Sequence, residues 1–320
     1  MYITMDEGER GELDTRLRGI RAQVHSHPEL SNREFETTKL VQRHLAALGL
    51  EPVELGLPTG AAALLRGGRP GPTVGLRADL DALPVTEQTG APYGSENEGV
   101  MHACGHDVHT SVLLGAAELL TKRREEIAGN ILFLFQPAEE AMVGARHVVE
   151  QGLFQRVKLS ALLGMHVWPQ LPRGEVGLRA GAFFAAVDNF RIVITGRGGH
   201  GSTPNLSRSP IGAGAALALA IPAIKAYDLP PTEPATVAVT LLQAGYCNNV
   251  IPDTCELQGT IRTFSEEARH IVAQRLQELT RSTAAAWGCT GEAEISKGTP
   301  PLVNDEGLEQ VMAGAARTVF

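Results

Sequence analysis

The sequence predicts an α/β protein with a mainly parallel sheet, into which a second domain of βαββαβ, ferredoxin-like order is inserted. Up to Pro172, apolar runs of strand length alternate with stretches of helical periodicity, which is typical of a parallel sheet covered on both faces. After Pro172 the order changes to strand, helix, two strands, helix and strand. With 43% hydrophobic and 20% charged residues among 320, the chain has ample material for such cores.

In the first part, three stretches predict helices and three predict strands. Residues 33–48 carry apolar side chains at helical spacing and end at Gly49, a typical helix stop. Pro137 favours a helix that begins directly after it, because proline suits the first helical turn. The strands are short apolar runs, best seen in NILFLF. The predicted helices are 33–48, 108–120 and 138–149, and the predicted strands are 73–76, 130–135 and 159–167.

In the second part, the predicted strands are 187–195, 235–242, 255–263 and 292–295, and the predicted helices are 211–224 and 266–287. The Gly- and Pro-rich stretch KGTPP (297–301) indicates a linker, and a further helix is expected over 306–320. We therefore predict that residues 1–176 begin the first domain, that 177–296 form the inserted domain, and that 297–320 return to the first.

Charge and composition exclude several classes of partner. The formal net charge is −8 and no run of Lys or Arg forms a basic stripe, so we expect neither nucleic acid nor membrane as a partner. The N-terminal residues are polar and lack an apolar signal core, and no stretch is long and apolar enough to cross a bilayer. Four cysteines are too few for a disulfide scaffold, so we expect a cytoplasmic protein with reduced thiols.

Ligand-type side chains follow three predicted strands directly. Asp79 and Asp81 follow the first, Glu139 and Glu140 the second, and His166 the third. Because ligands of open parallel sheets bind at the carboxyl ends of the strands, these side chains are expected to meet at one edge. The sequence thus indicates a metal site there.

Cys104 and His106 add a thiol and an imidazole, both good ligands for zinc and other first-row divalent metals. Gly105 between them allows a tight turn. A buried thiol beside a capping histidine is the plainer interpretation, and a Cys–His nucleophile is a third. The nucleophile does not explain the acid pairs, so the metal interpretation is favoured.

The two acid pairs indicate a division of roles. One of Glu139 and Glu140 can bind metal while the other takes a proton from water, although acids at a helix start are often only favourable charges. Asp79 and Asp81 share one face of an extended chain, where a carboxylate can orient a ligand or simply form a turn before Pro84. His102 and His109 are weaker candidates for such orienting contacts.

In the inserted domain, GRGGHGSTP (196–204) places His200 in a glycine-rich segment, either as a ligand-binding side chain or in a mobile loop. Asn249 and Arg262 are further candidates. An arginine can clamp a carboxylate through two parallel hydrogen bonds, but Arg262 is equally interpretable as an ordinary charge at a strand end.

Together these residues resemble a known family. LRADLDALP (76–84), HACGHDVH (102–109), QPAEE (136–140) and GMHVWP (164–169) are similar to motifs of the amidohydrolase branch of the aminoacylase and carboxypeptidase dinuclear metallopeptidases. That branch includes hippurate hydrolase and the indoleacetyl-amino-acid hydrolases. GRGGHGSTP, NNVIPD (248–253) and GTIRTF (259–264) resemble motifs of the same family's inserted domain. The motifs occur in the same order as in the family, from about His25 to Asn304, and their combination is specific to the family.

The resemblance implies two divalent metal ions of manganese, zinc, nickel or cobalt. It implies that Glu139 is the general base and that Asp79 orients a ligand, although the companion histidine of other branches is Arg77 here. The implied metal ligands are Cys104, His106, Glu140 and His166. The inserted domain is expected to act as a lid and to form a homodimer. Within it, His200 is implied to stabilise the oxyanion, in some members across the dimer, and Asn249 and Arg262 to hold the substrate carboxylate.

The function implied is a metal-dependent amidohydrolase that cleaves N-acyl amino acids, of the hippurate or N-acetyl type, with a water activated by both metals and by Glu139. A dipeptidase, a carboxypeptidase or a deacetylase of the N-acetyl-diaminopimelate type is the alternative within the family. The resemblance implies a chain that extends past the position of Phe320 and supplies one more metal-binding histidine, which this sequence does not contain. A truncated, non-catalytic metal-binding homologue is therefore the alternative from another class.

Overall fold

The computed structural model describes residues 5–319, which divide into two compact units, one up to Pro172 and the other from Arg173 onward. This division lies near the predicted boundary at 176. The assignment of 297–320 to the first domain stays a prediction. Residues 1–4 of the polar N-terminus and Phe320 lie outside the described residues.

The first unit is a five-stranded mixed sheet with helices on both faces. Its strands lie in the order β1-β2-β4-β3-β5; β4, β3 and β5 are mutually parallel, whereas β1 and β2 are antiparallel additions. The strands are β1 (Glu51–Pro52), β2 (Ala61–Arg66), β3 (Arg69–Asp79), β4 (Ala128–Gln136) and β5 (Ala161–Gly164). The helices are α1 (Glu7–Ser26), α2 (Phe35–Ala47), α3 (His106–Lys122), α4 (Gly144–Glu150) and α5 (Leu153–Arg156), with one 3₁₀ turn at Arg124–Glu126.

Strand β4 explains why this sheet has two covered faces. Its side chains alternate, so that Phe133 and Phe135 pack with residues of α2 and α3, whereas Leu132 and Leu134 pack with Val148 of α4 and with α5. All four are at most 3% exposed. A strand that is buried on both faces has a continuous run of apolar residues, and NILFLF in β4 is such a run.

The second unit confirms the predicted ferredoxin-like arrangement. Its main sheet is antiparallel in the order β12-β7-β11-β9, and α6, α7 and α8 contribute to the core on it. The strands are β6 (Gly181–Phe184), β7 (Ala186–Thr195), β8 (Gly199–His200), β9 (Ala235–Ala244), β10 (Val250–Ile251), β11 (Thr254–Thr263), β12 (Thr290–Lys297) and β13 (Leu302–Asn304). The helices are α6 (Pro210–Ala220), α7 (Ala223–Tyr227), α8 (Glu266–Ala286) and α9 (Glu306–Ala316), with a 3₁₀ turn at Pro204–Leu206.

Several predicted elements differ from the structure for identifiable reasons. The predicted helix 138–149 begins only at Gly144, because Ala138 and Met142 adopt left-handed backbone angles that an α-helix excludes. The predicted helix 211–224 is split after Ala220, where Pro222 removes a backbone donor. The strand predicted over 159–167 covers only Ala161–Gly164, so that His166 lies in the loop beyond it. None of the described helices combines the length and apolarity needed to span a membrane.

A buried ion pair joins α8 to the sheet of the second unit. Arg269 donates from Nε to Asp188 Oδ2 at 2.7 Å and from Nη2 to Oδ1 at 2.6 Å, and both residues are at most 6% exposed. Asp188 also accepts the backbone N–H of Gly298 at 2.9 Å. This carboxylate therefore ties the helix to the segment that leaves β12.

Replacing Arg269 by Met should destabilise the protein strongly, because the Asp188 charge then stays buried without its partner. Loss of one partner of a buried pair costs about 3–5 kcal/mol in free energy of unfolding. Urea unfolding followed by circular dichroism measures this change. Arg275→Met, on the same helix but with ion pairs that are only partly buried, is the matched control and should change the midpoint much less. Equal midpoints for the two variants would contradict the role of the buried pair.

Candidate metal centre

The side chains that follow β3, β4 and β5 meet around His106, the first residue of α3. His106 is fully buried, and its Nε2 lies 3.6 Å from Asp79 Oδ2, 3.7 Å from Glu140 Oε1 and 3.9 Å from Glu139 Oε2. Its Nδ1 lies 3.4 Å from Asp81 Oδ1. The parallel strands thus bring both acid pairs to one edge of the sheet, around one imidazole.

Cys104 and His166 lie beside this imidazole. The Cys104 Sγ is 3.5 Å from His166 Nε2, and the His166 Nδ1–H donates to the backbone carbonyl of Val167 at 2.6 Å. This bond leaves the Nε2 lone pair free toward the thiol, the tautomer that a metal-binding histidine needs. Gly105 has a φ of 82°, and a Cβ on it would lie 2.4 Å from Val167 Cγ2, so glycine lets the two loops approach.

Among residues 5–319, three groups of ligand atoms are close enough to hold a cation, and all three contain His106. In each group the atoms lie within 4.8 Å of one another. The groups are Cys104, His106 and His166; Asp79, His106 and His109; and His106, Glu139 and Glu140. The four predicted metal ligands therefore fall into two groups joined at His106.

The chemistry of these residues fits divalent metal ions. Both ring nitrogens of His106 and the Oε1 of Glu140 are buried without a hydrogen-bond partner, which is costly unless another group satisfies them. Burial lowers the pKa of His106, but Asp81, Cys104 and Asp79 outweigh it and raise the pKa to about 11. The site therefore favours positive charge, and its sulfur, nitrogen and oxygen atoms suit zinc-like metals.

His109 is a positioning side chain of this centre. Its Nε2 accepts the backbone N–H of Val167 at 2.9 Å, so the proton lies on Nδ1, which donates to Asp79 Oδ1 at 2.6 Å. Both nitrogens are thereby engaged. His109 holds Asp79 in place and also holds the loop that carries His166.

Asp79 stays ionised between cationic and hydrogen-bonding partners. Burial raises its pKa, but the His109 hydrogen bond and the Arg77 charge outweigh this effect and hold the pKa well below its usual range. Arg77 donates from Nη1 to Asp79 Oδ2 at 2.7 Å and from Nε to the Gln136 side chain at 2.9 Å. The Arg77 guanidinium thus supplies a fixed positive charge beside Asp79.

Glu139 and Glu140 differ in exposure. The Glu139 side chain is 41% exposed, compared with 19% for Glu140, whose Oε1 is buried and unpartnered. Burial raises the pKa of Glu139, and the opposing effect of the His106 charge offsets this only in part. A solvent-accessible carboxylate with a raised pKa suits proton transfer, and a buried one suits metal binding.

In the second unit, the structure brings His200 and Asn249 together but not Arg262. His200 pairs in register with Val250, and Gly201 N–H donates to the Asn249 carbonyl at 2.8 Å. Arg262 lies near the opposite end of β11, roughly 25 Å from its start along an extended strand, and donates from Nη1 to the Ile261 carbonyl at 2.9 Å. The functions of these residues stay predictions.

Sequence reasoning placed Asp81 at the site only as one of an acid pair, gave His109 a weak role and did not name Glu34. His109 follows His106 by three residues on α3, a spacing that puts both on one helix face and could have indicated it. Asp81 accepts the backbone N–H groups of Glu139 and Glu140 at 3.0 and 2.9 Å. Such a contact joins distant segments and leaves no local pattern.

The family model described as Peptidase family M20/M25/M40 matches residues 75–320. The chain belongs to this family. It is 43% identical over 292 residues to N-acetylcysteine deacetylase of Bacillus subtilis (91% of this chain, 76% of the relative). It is 39% identical to thermostable carboxypeptidase 2 of Saccharolobus solfataricus (94% and 77%) and 39% identical to N-acyl-L-amino acid amidohydrolase of Geobacillus stearothermophilus (92% and 80%).

The crystal structure of a dinuclear metal-binding peptidase of the M20 family from Bacillus subtilis has the same fold. It superposes with a TM-score of 0.86 at 39% identity, over 97% of this chain and 80% of that one. The M20 membership confirms the family that the sequence motifs indicated.

Metal binding by this M20 family chain should release protons. Burial lowers the pKa of His106, but the neighbouring groups raise it to about 11, so the metal-free imidazole carries its proton at pH 8. A cation that takes a ring nitrogen at pH 8 must displace that proton. We expect Zn²⁺ binding to release about one proton per chain or more.

Isothermal titration calorimetry in two buffers of different protonation enthalpy counts these protons. His44→Gln, a partly buried position of α2 outside the three ligand groups, is the control and should leave the count unchanged. Identical binding heats in the two buffers would show that no proton leaves, contrary to this expectation.

Proposed function

We propose that this chain is a metal-dependent amidohydrolase that cleaves the amide bond of N-acyl amino acids. The observation that carries the proposal is the convergence of Cys104, His106, Glu139, Glu140 and His166 at one sheet edge. The names of two relatives, N-acetylcysteine deacetylase and N-acyl-L-amino acid amidohydrolase, support the substrate class.

In this proposal two divalent ions, of manganese, zinc, nickel or cobalt, are the cofactors. Cys104, His106, Glu140 and His166 would hold them, supported by the orphaned polar atoms of His106 and Glu140. When bound, such ions supply Lewis acidity that activates water and polarises the amide carbonyl. Asp79 and His109 keep the surrounding ligands oriented.

Glu139 carries the proton transfers of the proposed reaction. Its carboxylate accepts a proton from the attacking water as the new C–O bond forms at the amide carbon. It then returns this proton to the leaving nitrogen as the C–N bond breaks, which yields the free carboxylic acid and the amino acid. The greater exposure and raised pKa of Glu139 support its choice over Glu140.

As water attacks the amide, negative charge develops on the carbonyl oxygen, and a hydrogen-bond donor other than the nearby backbone N–H groups must stabilise it. The N–H groups of Glu139 and Glu140 already donate to Asp81 and are unavailable to substrate. We assign this role to His200, and the binding of the substrate carboxylate to Asn249 and Arg262. Most of the length of β11 separates Arg262 from His200 and Asn249. This separation supports a homodimer, formed through the inserted domain 177–296, in which the two chains together supply the substrate contacts. A cytoplasmic location completes the proposal and is supported by four free cysteines.

A carboxypeptidase or dipeptidase function is the second candidate, favoured by the name of the Saccharolobus solfataricus relative. A panel of N-acetyl-L-cysteine, benzoylglycine and an unblocked dipeptide separates the two. Turnover of the first two substrates supports the amidohydrolase, and turnover of the dipeptide alone supports the second candidate. Metal-loaded protein that hydrolyses none of them would be a non-catalytic homologue.

Glu139→Gln should lower kcat by about 10²–10⁴-fold on the preferred substrate, because the amide cannot accept the proton. Metal content, measured by plasma mass spectrometry, should stay unchanged. Glu150→Gln, an exposed change on α4, is the control and should keep full activity. Full turnover by Glu139→Gln would refute its role as general base.

A further inference from the structure

Three consecutive backbone N–H groups, in the turn that carries the two glutamates, are held by two buried carboxylates. Ala138 N–H donates to Glu34 Oε1 at 2.8 Å, Glu139 N–H to Asp81 Oδ1 at 3.0 Å and Glu140 N–H to Asp81 Oδ2 at 2.9 Å. We call Glu34 and Asp81 the acid clamp. Both are at most 1% exposed, so the clamp lies inside the protein.

The acid clamp joins segments that are far apart in sequence. Asp81 follows the end of β3, and its Oδ2 also accepts the Ser31 hydroxyl at 2.6 Å. Glu34 precedes α2 and accepts the Asn32 N–H at 2.9 Å as well. The loop before α2, the end of β3 and the turn after β4 are thereby fixed to one another.

The turn needs such support because its backbone is strained. Ala138 and Met142 have φ values of 51° and 57°, and left-handed conformations are unfavourable for residues other than glycine. Charge-assisted hydrogen bonds to buried carboxylates are stronger than neutral ones and can hold this conformation. The same conformation directs Glu139 and Glu140 toward His106.

We propose that Asp81 and Glu34 are positioning residues for the reaction, and that Asp81 carries most of the effect. By holding two successive N–H groups with its two oxygens, Asp81 sets the direction of both glutamate side chains at once. Asp81 thus positions both Glu139, which transfers the proton, and Glu140, which binds the cation. The inference rests on the proposed amide hydrolysis.

Asp81→Asn tests the clamp, because the amide group keeps one acceptor and turns a donor toward the other N–H. We expect kcat to fall about 100-fold with KM nearly unchanged, as is typical when a reacting group is displaced by about 1 Å. In Co²⁺-loaded protein, the visible absorption, which reports the geometry of the metal ligands, should change as well.

Two control variants separate positioning from stability. Ser31→Ala removes the hydroxyl on Asp81 but leaves both backbone contacts, so kcat and the Co²⁺ spectrum should stay near those of the wild type. Leu65→Ala creates a cavity in the fully buried part of β2, so it lowers stability without touching the turn. It should keep the wild-type kcat and spectrum.

Wild-type kcat and an unchanged Co²⁺ spectrum in Asp81→Asn would overturn the inference. If the wild type hydrolyses no substrate, the proposed function fails, but the spectra of wild type and variant still decide whether the clamp sets ligand geometry. If Asp81→Asn does not fold, hydrogen exchange of the wild-type amides at 138–140 decides. Slow exchange supports the clamp, and exchange at the rate of an unbonded turn contradicts it.

Discussion

A fully buried imidazole, His106, lies among the carboxylates of Asp79, Asp81, Glu139 and Glu140, and the rest of the site is built around this interaction. Four acids around one ring cannot all stay ionised in a protein interior without compensating positive charge. The protonated His106 and the Arg77 guanidinium supply part of this compensation, and bound cations would supply the rest. The excess of negative charge is therefore the physical reason why this edge of the sheet favours divalent metal ions.

Each reactive group in the centre has its own buried support. His109 uses one ring nitrogen to hold Asp79 and the other to hold the Val167 backbone, next to His166. Asp81 holds the backbone of Glu139 and Glu140. These contacts need rigid parallel strands beneath them, because a shift between β3, β4 and β5 would separate every pair at once. Fold and chemistry thus depend on the same three strands.

Periodicity and motif position predict the architecture and the identity of the site, but not its supporting contacts. The apolar run in β4 and the acids after it were sufficient to place a site at the sheet edge, since parallel strands end together. The helix predicted to begin after Pro137 begins only at Gly144, because long-range hydrogen bonds from Glu34 and Asp81 hold the preceding turn, whose left-handed angles local propensity does not predict. The short strand β2 (Ala61–Arg66) was missed because its alanine-rich pattern resembles neither helix nor strand.

Anomalous diffraction from crystals grown with Zn²⁺ or Mn²⁺ tests most directly whether these side chains surround cations. Two ions per chain are expected, within coordination distance of ligand atoms of Cys104, His106, Glu140 and His166. Anomalous peaks only at other places in the chain, with these side chains bound to no ion, would contradict the metal centre and the hydrolase that depends on it.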